Sequence, residues 1–411
     1  MNKKIVVALS AAVSLAVFAE VKTLSPVGGV EIDLRTKEQV EVSDLKTAGE
    51  RIEWLKARYG NVKKDKSGAW QAARPLVLEW TVTDGEKGPW KIELAQEADF
   101  SNATALYLEK DKPEKREGDV FAYEVPMANL LVGRTYFWRV WSDVKCPTWA
   151  CGSTMAGKCK TCGKGRPAVC SDVASFKTLD AAPRWIAIEG KVGNIRDLGG
   201  WKTLDGRRVR QGLAYRGQGL NYNSVNGEMR GRNRLTVEDV AYLTGTLGIK
   251  TDLDLRTSRE TAGMTESPLG ASVKYVHHSS EAYKEIFSEK GKCTMAENFR
   301  LFCDRANYPI YFHCIAGADR TGSLAYVLNG LLGVGEHDLE IDWESTFYPQ
   351  VPAMREKYTG PDYWQNLHHI PQELAKYGDA DTPLAVRIER YLLDCGITEA
   401  EIAAFKSIML E

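Results

Sequence analysis

The chain has 411 residues, 44% of them apolar and 27% charged, with a formal net charge of −1 and a mean hydropathy of −0.33. At roughly 150 residues per domain this length makes two or three domains, and the composition excludes disordered, collagen-like and multi-span membrane classes. A balanced charge without a long basic run excludes a nucleic-acid partner.

Residues 1–19, MNKKIVVALSAAVSLAVFA, carry two lysines, an apolar run from Ile5 to Ala16, and the small residues Val17 and Ala19 around a cleavage point. That is the three-part pattern of a secretory signal peptide. The apolar run is shorter than the roughly 20 residues a membrane span requires. The expectation is an exported protein, periplasmic or secreted, with no stable membrane insertion.

Seven strand-like runs follow, at 30–34, 76–82, 90–95, 105–109, 121–125, 135–141 and 174–178. Period-two alternation in the sixth sets Tyr136, Trp138 and Val140 on one face and Phe137, Arg139 and Trp141 on the other. Short strands with regular turns predict an all-β sandwich over 20–180. Two insertions interrupt it. Residues 43–59 place Leu45, Ala48, Ile52 and Leu55 at helical spacing. Residues 146–170 hold five of the nine cysteines: Cys146, Cys151, Cys159, Cys162 and Cys170. An exported protein favours disulfides there, and the one C-x-x-C leaves a zinc site as the alternative. The strings LEWTV and LLVGRTYFWRVWS give residues 27–180 a resemblance to a fibronectin type III-like domain, which implies a protein or a glycan as partner.

Past a turn at 180–185 the pattern changes. A helix is expected over 235–247, with Thr236 as N-cap and Val237, Val240, Leu243 and Leu247 on its apolar face. Strands are expected at 249–255, 273–277 and 309–312, and helices at 294–304 and 321–332. Alternating strands and helices predict an α/β domain with a central, mainly parallel sheet over 185–411.

The chemistry concentrates in YPIYFHCIAGADRTGSLAYVLNGLLG, residues 308–333. A strand ends at His313, a loop runs from Cys314 to Arg320, and a helix opens near Thr321. Ligands of open parallel sheets bind at the carboxyl ends of strands, and a helix N-terminus offers unpaired amides and a positive dipole end. The backbone of Ile315, Ala316, Gly317, Ala318 and Asp319 is therefore expected to bind phosphate, with Arg320 as a bidentate clamp. The same field would favour the thiolate of Cys314. Thr321 is expected to donate its hydroxyl to that sulfur and to assist when it leaves. Cys314 would attack phosphorus in line, by a scheme needing neither metal nor cofactor.

This segment resembles the H-C-x5-R-[ST] loop of the cysteine-dependent protein tyrosine phosphatases, in particular the bacterial branch written H-C-x-x-G-x-D-R-T-G. NIRDLGGWKTLDGRRVRQGLAYRG (194–217) and GIKTDLDLRTSRE (248–260) extend the likeness. The resemblance implies Cys314 as nucleophile, Arg320 as clamp, Thr321 as sulfur partner, and His313 as a residue that sets the thiolate or orients the loop. Asn194, Arg196 and Asp197 read as buttresses of the loop, Arg256 with Glu260 as a salt bridge, and Asp252 and Asp254 as ordinary strand patterning. The general acid is Asp319 or Glu281, since residues 277–303 contain no Asp. Lipid-directed relatives often carry Lys where this chain has Ala318. That favours a phosphorylated protein or small phosphoester as substrate over phytate or a phosphoinositide. Arg230, Arg232 and Arg234 are candidates for the mouth of the site, and Cys293, Cys303 and Cys395 for oxidation partners of Cys314. The rival reading is a non-catalytic phosphate-binding or adhesion protein.

Overall fold

The computed structural model describes residues 20–59, 74–83, 88–109, 112–125, 127–142, 169–190, 192–220, 235–261, 263–347 and 361–411. The expected leader, the cysteines from Cys146 to Cys162, and Arg230, Arg232 and Arg234 lie outside the described residues. No helix among the described residues is long and apolar enough to cross a membrane.

The chain forms two units, one of Met1–Val30, Val77–Val125 and Thr135–Phe176, the other of Glu31–Leu76, Pro126–Arg134 and Lys177–Glu411. Among the described residues ten strands precede residue 180: β1 (Val21–Ser25), β2 (Val30–Ile32), β3 (Leu76–Val82), β4 (Trp90–Ala95), β5 (Thr104–Leu108), β6 (Glu114–Lys115), β7 (Val120–Val125), β8 (Thr135–Ser142), β9 (Val169–Cys170) and β10 (Ala174–Thr178). They make one sheet in the order β1-β3-β7-β6 and another in the order β2-β10-β8-β4-β5, with β9 on β8. The alternation read in β8 is observed, since Tyr136, Trp138 and Val140 are all buried. Trp80 of one sheet meets Trp90 of the other edge-on at 5.4 Å, and Phe121 stacks on Trp80 at 6.0 Å. Buried rings of this size supply most of the apolar area such a unit removes from water.

In the second unit, α1 (Lys37–Ser43) starts at a capping box between Thr36 and Gln39, and α2 (Ala48–Tyr59) follows. The helical insertion read from spacing thus belongs to this unit. The sheet here runs β11-β12-β15-β13-β14, formed by β11 (Arg196–Asp197), β12 (Ala214–Gly217), β13 (Thr251–Asp254), β14 (Lys274–His277) and β15 (Ile310–His313). The short β11 is antiparallel to β12, and the other pairs are parallel. Register puts Gly217, His313, Asp254 and His277 in one row at the carboxyl ends. That row is where a ligand site belongs.

The helices are α3 (Val237–Ala241), α4 (Ser258–Thr261), α5 (Glu289–Phe302), α6 (Asp319–Leu331), α7 (Glu336–Glu344), α8 (Pro361–Leu374), α9 (Leu384–Asp394) and α10 (Glu399–Met409). Ile310 and Phe312 pack into one core with Phe299, Leu324 and Phe405, while Tyr311 joins a second with Tyr215, Leu243 and Ile249. The sheet is therefore buried on both faces. One expectation fails: Val237 is 81% exposed rather than inward. It is the first helical residue, inside the Thr236–Asp239 capping box, and a π turn over Tyr242–Thr246 ends the helical repeat before a continuous stripe forms.

Candidate active site

Between β15 and α6 the backbone turns its carbonyls to the scaffold. Ile315 O accepts from Gly219 N at 3.1 Å, Ala316 O from Asn194 Nδ2 at 2.9 Å, and Gly317 O from Arg216 Nη2 at 2.8 Å. In a trans peptide the N–H points opposite to the C=O, so the amides of Ala316, Gly317 and Ala318 face the other way. Ala318 is the N-cap of α6 and caps it with no side-chain hydrogen bond. An anion is the natural partner of such a helix start. Gly317 has φ +69°, and a Cβ there would overlap Gly217 O. Cys314 sits at the foot of the loop, 2% exposed.

Behind the loop lies a buried network. Arg196 donates to Asn194 Oδ1, to Asp342 Oδ1 at 3.2 Å and to Asp342 O at 2.8 Å. Arg216 pairs with Asp342 Oδ2 at 2.5 Å. Burial opposes the charge on Asp342, yet Arg216 and Arg196 hold its carboxyl below the usual range. Burial and the neighbouring Arg216 bring Arg196 down to about 9. Of the three expected buttresses, Asn194 touches the loop and Arg196 acts through it. Asp197 instead accepts from Arg184 at 2.6 Å and from the amides of Gly199 and Gly212, bracing the turn between β11 and β12. Arg216 and Asp342 went unread in the sequence.

The expected Arg256–Glu260 bridge is not formed. Arg256 pairs with Asp254 at 2.6 Å, and Glu260 holds Arg320 at 2.6 Å and 3.2 Å. Glu260 also accepts from Thr257 N and Oγ1. The guanidinium of Arg320 is thus oriented by a carboxylate 60 residues away in sequence.

Asp252 and Asp254 are likewise more than strand patterning. Both are fully buried, and His313 Nε2 lies 3.0 Å from Asp252 Oδ1 while its Nδ1 lies 3.2 Å from Cys314 O. A carboxylate and a carbonyl only accept, so this arrangement favours donation by both ring nitrogens, the imidazolium form of His313. Burial works against that charge, but Asp254 and Asp252 raise the His313 pKa above its ordinary value. The same imidazolium, with Arg256, holds Asp254 down to about 2 against the cost of burial. A raised histidine stabilises the fold fully below its unfolded value of about 6.5 and loses that contribution as pH rises through the folded one. Stability measured by urea unfolding is therefore expected to fall above about pH 6.5, and more steeply than in His313→Gln. Equal slopes for the two proteins would refute the assignment.

Thr321 departs from expectation. Its Oγ1 is buried without a hydrogen-bond partner, so the contact to the Cys314 sulfur is not made. Asp319 opens α6, and its Oδ1 accepts from Tyr283 OH at 2.6 Å. Tyr283 is itself fixed: its φ is +54°, its N–H donates to Ser323 Oγ at 2.8 Å, and Trp343 Nε1 donates to its hydroxyl at 3.3 Å. Glu281, the other candidate acid, pairs with Lys290 at 2.5 Å. No group of three or more His, Cys, Asp or Glu suited to a metal ion occurs among the described residues.

A family model described as "Tyrosine phosphatase family" matches residues 187–411. Among solved structures, the chain is similar to the core catalytic domain of the PP-IP phosphatase SIW14 from S. cerevisiae in complex with citrate. That match has 15% identity and a TM-score of 0.23, covering 39% of this chain and 93% of that one. A second structure, of the Siw14 catalytic core, has 16% identity and a TM-score of 0.23, covering 34% of this chain and 84% of that one. No curated protein matches the chain.

Proposed function

The chain belongs to the tyrosine phosphatase family, and from that membership, with the leader-like pattern of residues 1–19, we propose that it is an exported phosphatase hydrolysing phosphotyrosine, and also phosphoserine or phosphothreonine, monoesters. The observation that carries this reading is the loop of Ile315 to Ala318, in which the carbonyls of Ile315, Ala316 and Gly317 are all engaged by the scaffold, beside a buried Cys314 and an Arg320 held by Glu260. Its amides and the guanidinium would hold the three equatorial phosphate oxygens. Cys314 Sγ attacks phosphorus as the bond to the ester oxygen breaks, and Asp319 gives that oxygen a proton. Water then attacks the cysteinyl phosphate, Asp319 takes back a proton, and the P–S bond breaks to release phosphate and thiolate. Asp319 is preferred to Glu281 because Tyr283 fixes its orientation beside Arg320, whereas Glu281 is engaged by Lys290. The N-terminal β-rich unit, read as a fibronectin type III-like sandwich, would bring the enzyme to a protein or glycan.

The test is phosphate release from phosphotyrosine peptide, phosphoserine peptide, phytate and phosphoinositides, with reductant and with chelator, beside Cys314→Ser. Release that chelator leaves unchanged and that falls at least ~10⁴-fold in Cys314→Ser is expected, fastest from phosphotyrosine. Faster release from phytate or phosphoinositide would reassign the substrate. No release at all from folded, reduced protein would favour a phosphate-binding protein.

A further inference from the structure

We propose that Arg51, far upstream of the family-matched residues, is a positioning residue of the phosphate site and acts through α7; the inference rests on the function proposed above. Arg51 lies on α2 and is fully buried. Its guanidinium holds Glu344 through Nε and, at 3.1 Å, through Nη2; it also reaches Glu340 at 2.9 Å and Leu45 O at 3.2 Å. Glu340 and Glu344 stand four residues apart and so share one face of α7. Between and just after them come the groups that reach the loop. Asp342 binds Arg196 and Arg216, and Arg216 holds Gly317 O. Thr346 Oγ1 accepts from Asn194 Nδ2 at 3.3 Å, and the same amide donates to Ala316 O. Trp343 donates to Tyr283, which in turn donates to Asp319.

From Arg51 to the loop the side chains are thus linked by hydrogen bonds and ion pairs joined through α7, beside the apolar packing of Ile52 and Trp54 on the core. A buried charge bonded on this many sides is costly to assemble and fixes geometry more than it adds stability. Burial pushes Glu344 up to about 8 even beside Arg51. Removing the arginine takes away the group that draws this value down, so the carboxyl stands neutral and not as a bare buried charge, and the end of α7 loses its anchor while the fold is kept.

The experiment compares full-length wild type, Arg51→Met and Arg51→Lys by hydrogen exchange of a peptide spanning 314–322 and by kcat on the best substrate. Arg51→Met is expected to exchange the loop amides at least ~10-fold faster, with α5 and α10 keeping wild-type protection, and to lose ~10- to 100-fold in kcat. Arg51→Lys keeps the charge but lacks the fork that spans Glu340 and Glu344, so it should fall between the two. If Arg51→Met does not fold, Arg51→Lys carries the test. Wild-type loop exchange in every variant that folds would overturn the proposal. Exchange does not depend on turnover. A wild type that releases no phosphate would thus sink the proposed function while the exchange comparison still decides the role of Arg51.

Discussion

Arg320→Lys is expected to lose ~10²- to 10³-fold in kcat while melting within a few degrees of wild type. The fork of Arg320 is set by Glu260 at 2.6 Å and 3.2 Å, an orientation a single ammonium cannot reproduce. Burial costs Arg320 some of its preference for the charged form, and Glu260 and Cys314 more than restore it. The substitution therefore removes planar recognition of the transferring phosphoryl group and keeps the charge. A lysine keeps a positive charge beside Glu260, so the partly buried ion pair persists and stability changes little. Steady-state kinetics with the best substrate, alongside thermal unfolding, tests both halves. A kcat within threefold of wild type would remove Arg320 from the transition state.

Asp342→Asn should produce the largest loss of stability, ~3–5 kcal/mol, or about 10 °C in melting temperature. Its carboxylate is the shared counter-charge of two fully buried arginines, Arg196 and Arg216. The amide would leave both cations uncompensated in the interior. Activity should fall with stability, because Arg216 holds Gly317 O and Arg196 holds Asn194 in place. Calorimetry with residual phosphate release at a temperature where the variant is folded makes the comparison. A melting temperature within 2 °C of wild type would show that another group neutralises the pair.

The strand, loop and helix around Cys314 were legible because each has a local signature: a short apolar run, a glycine turn, then helical spacing. The same holds for β3, β4 and β10, whose observed limits coincide with the runs read from residue type. What could not be read is who partners whom. Arg256 and Glu260 stand close together at the end of a strand, which suggests a local bridge. The fold instead gives Arg256 to Asp254 and sends Glu260 to Arg320. Asp252 and Asp254 look like the wet side of an alternating strand, but β13 is central in a parallel sheet covered on both faces, so alternation there does not mark solvent. Asp342 is 146 residues from Arg196 and 126 from Arg216, and no period or motif links such positions. Thr321 follows the family motif in type, yet its hydroxyl is buried without the sulfur contact.

The glycines of the site bear on how the sequence can drift. A side chain on Gly317 would overlap Gly217 O, one on Gly217 would overlap the Tyr311 hydroxyl, and one on Gly219 would come within 2.8 Å of Cys314 O. The proposed anion loop is thus packed main chain against main chain at Gly317 and Gly219, and against a buried tyrosine hydroxyl at Gly217. In a saturation library selected for phosphatase activity, these three positions should return glycine alone. Half-buried Ile315, whose main-chain carbonyl is what Gly219 N holds, should return a spread of residues. Tolerance at this site then runs opposite to proximity: the positions that can least afford change are those whose absent side chains would never have met the substrate.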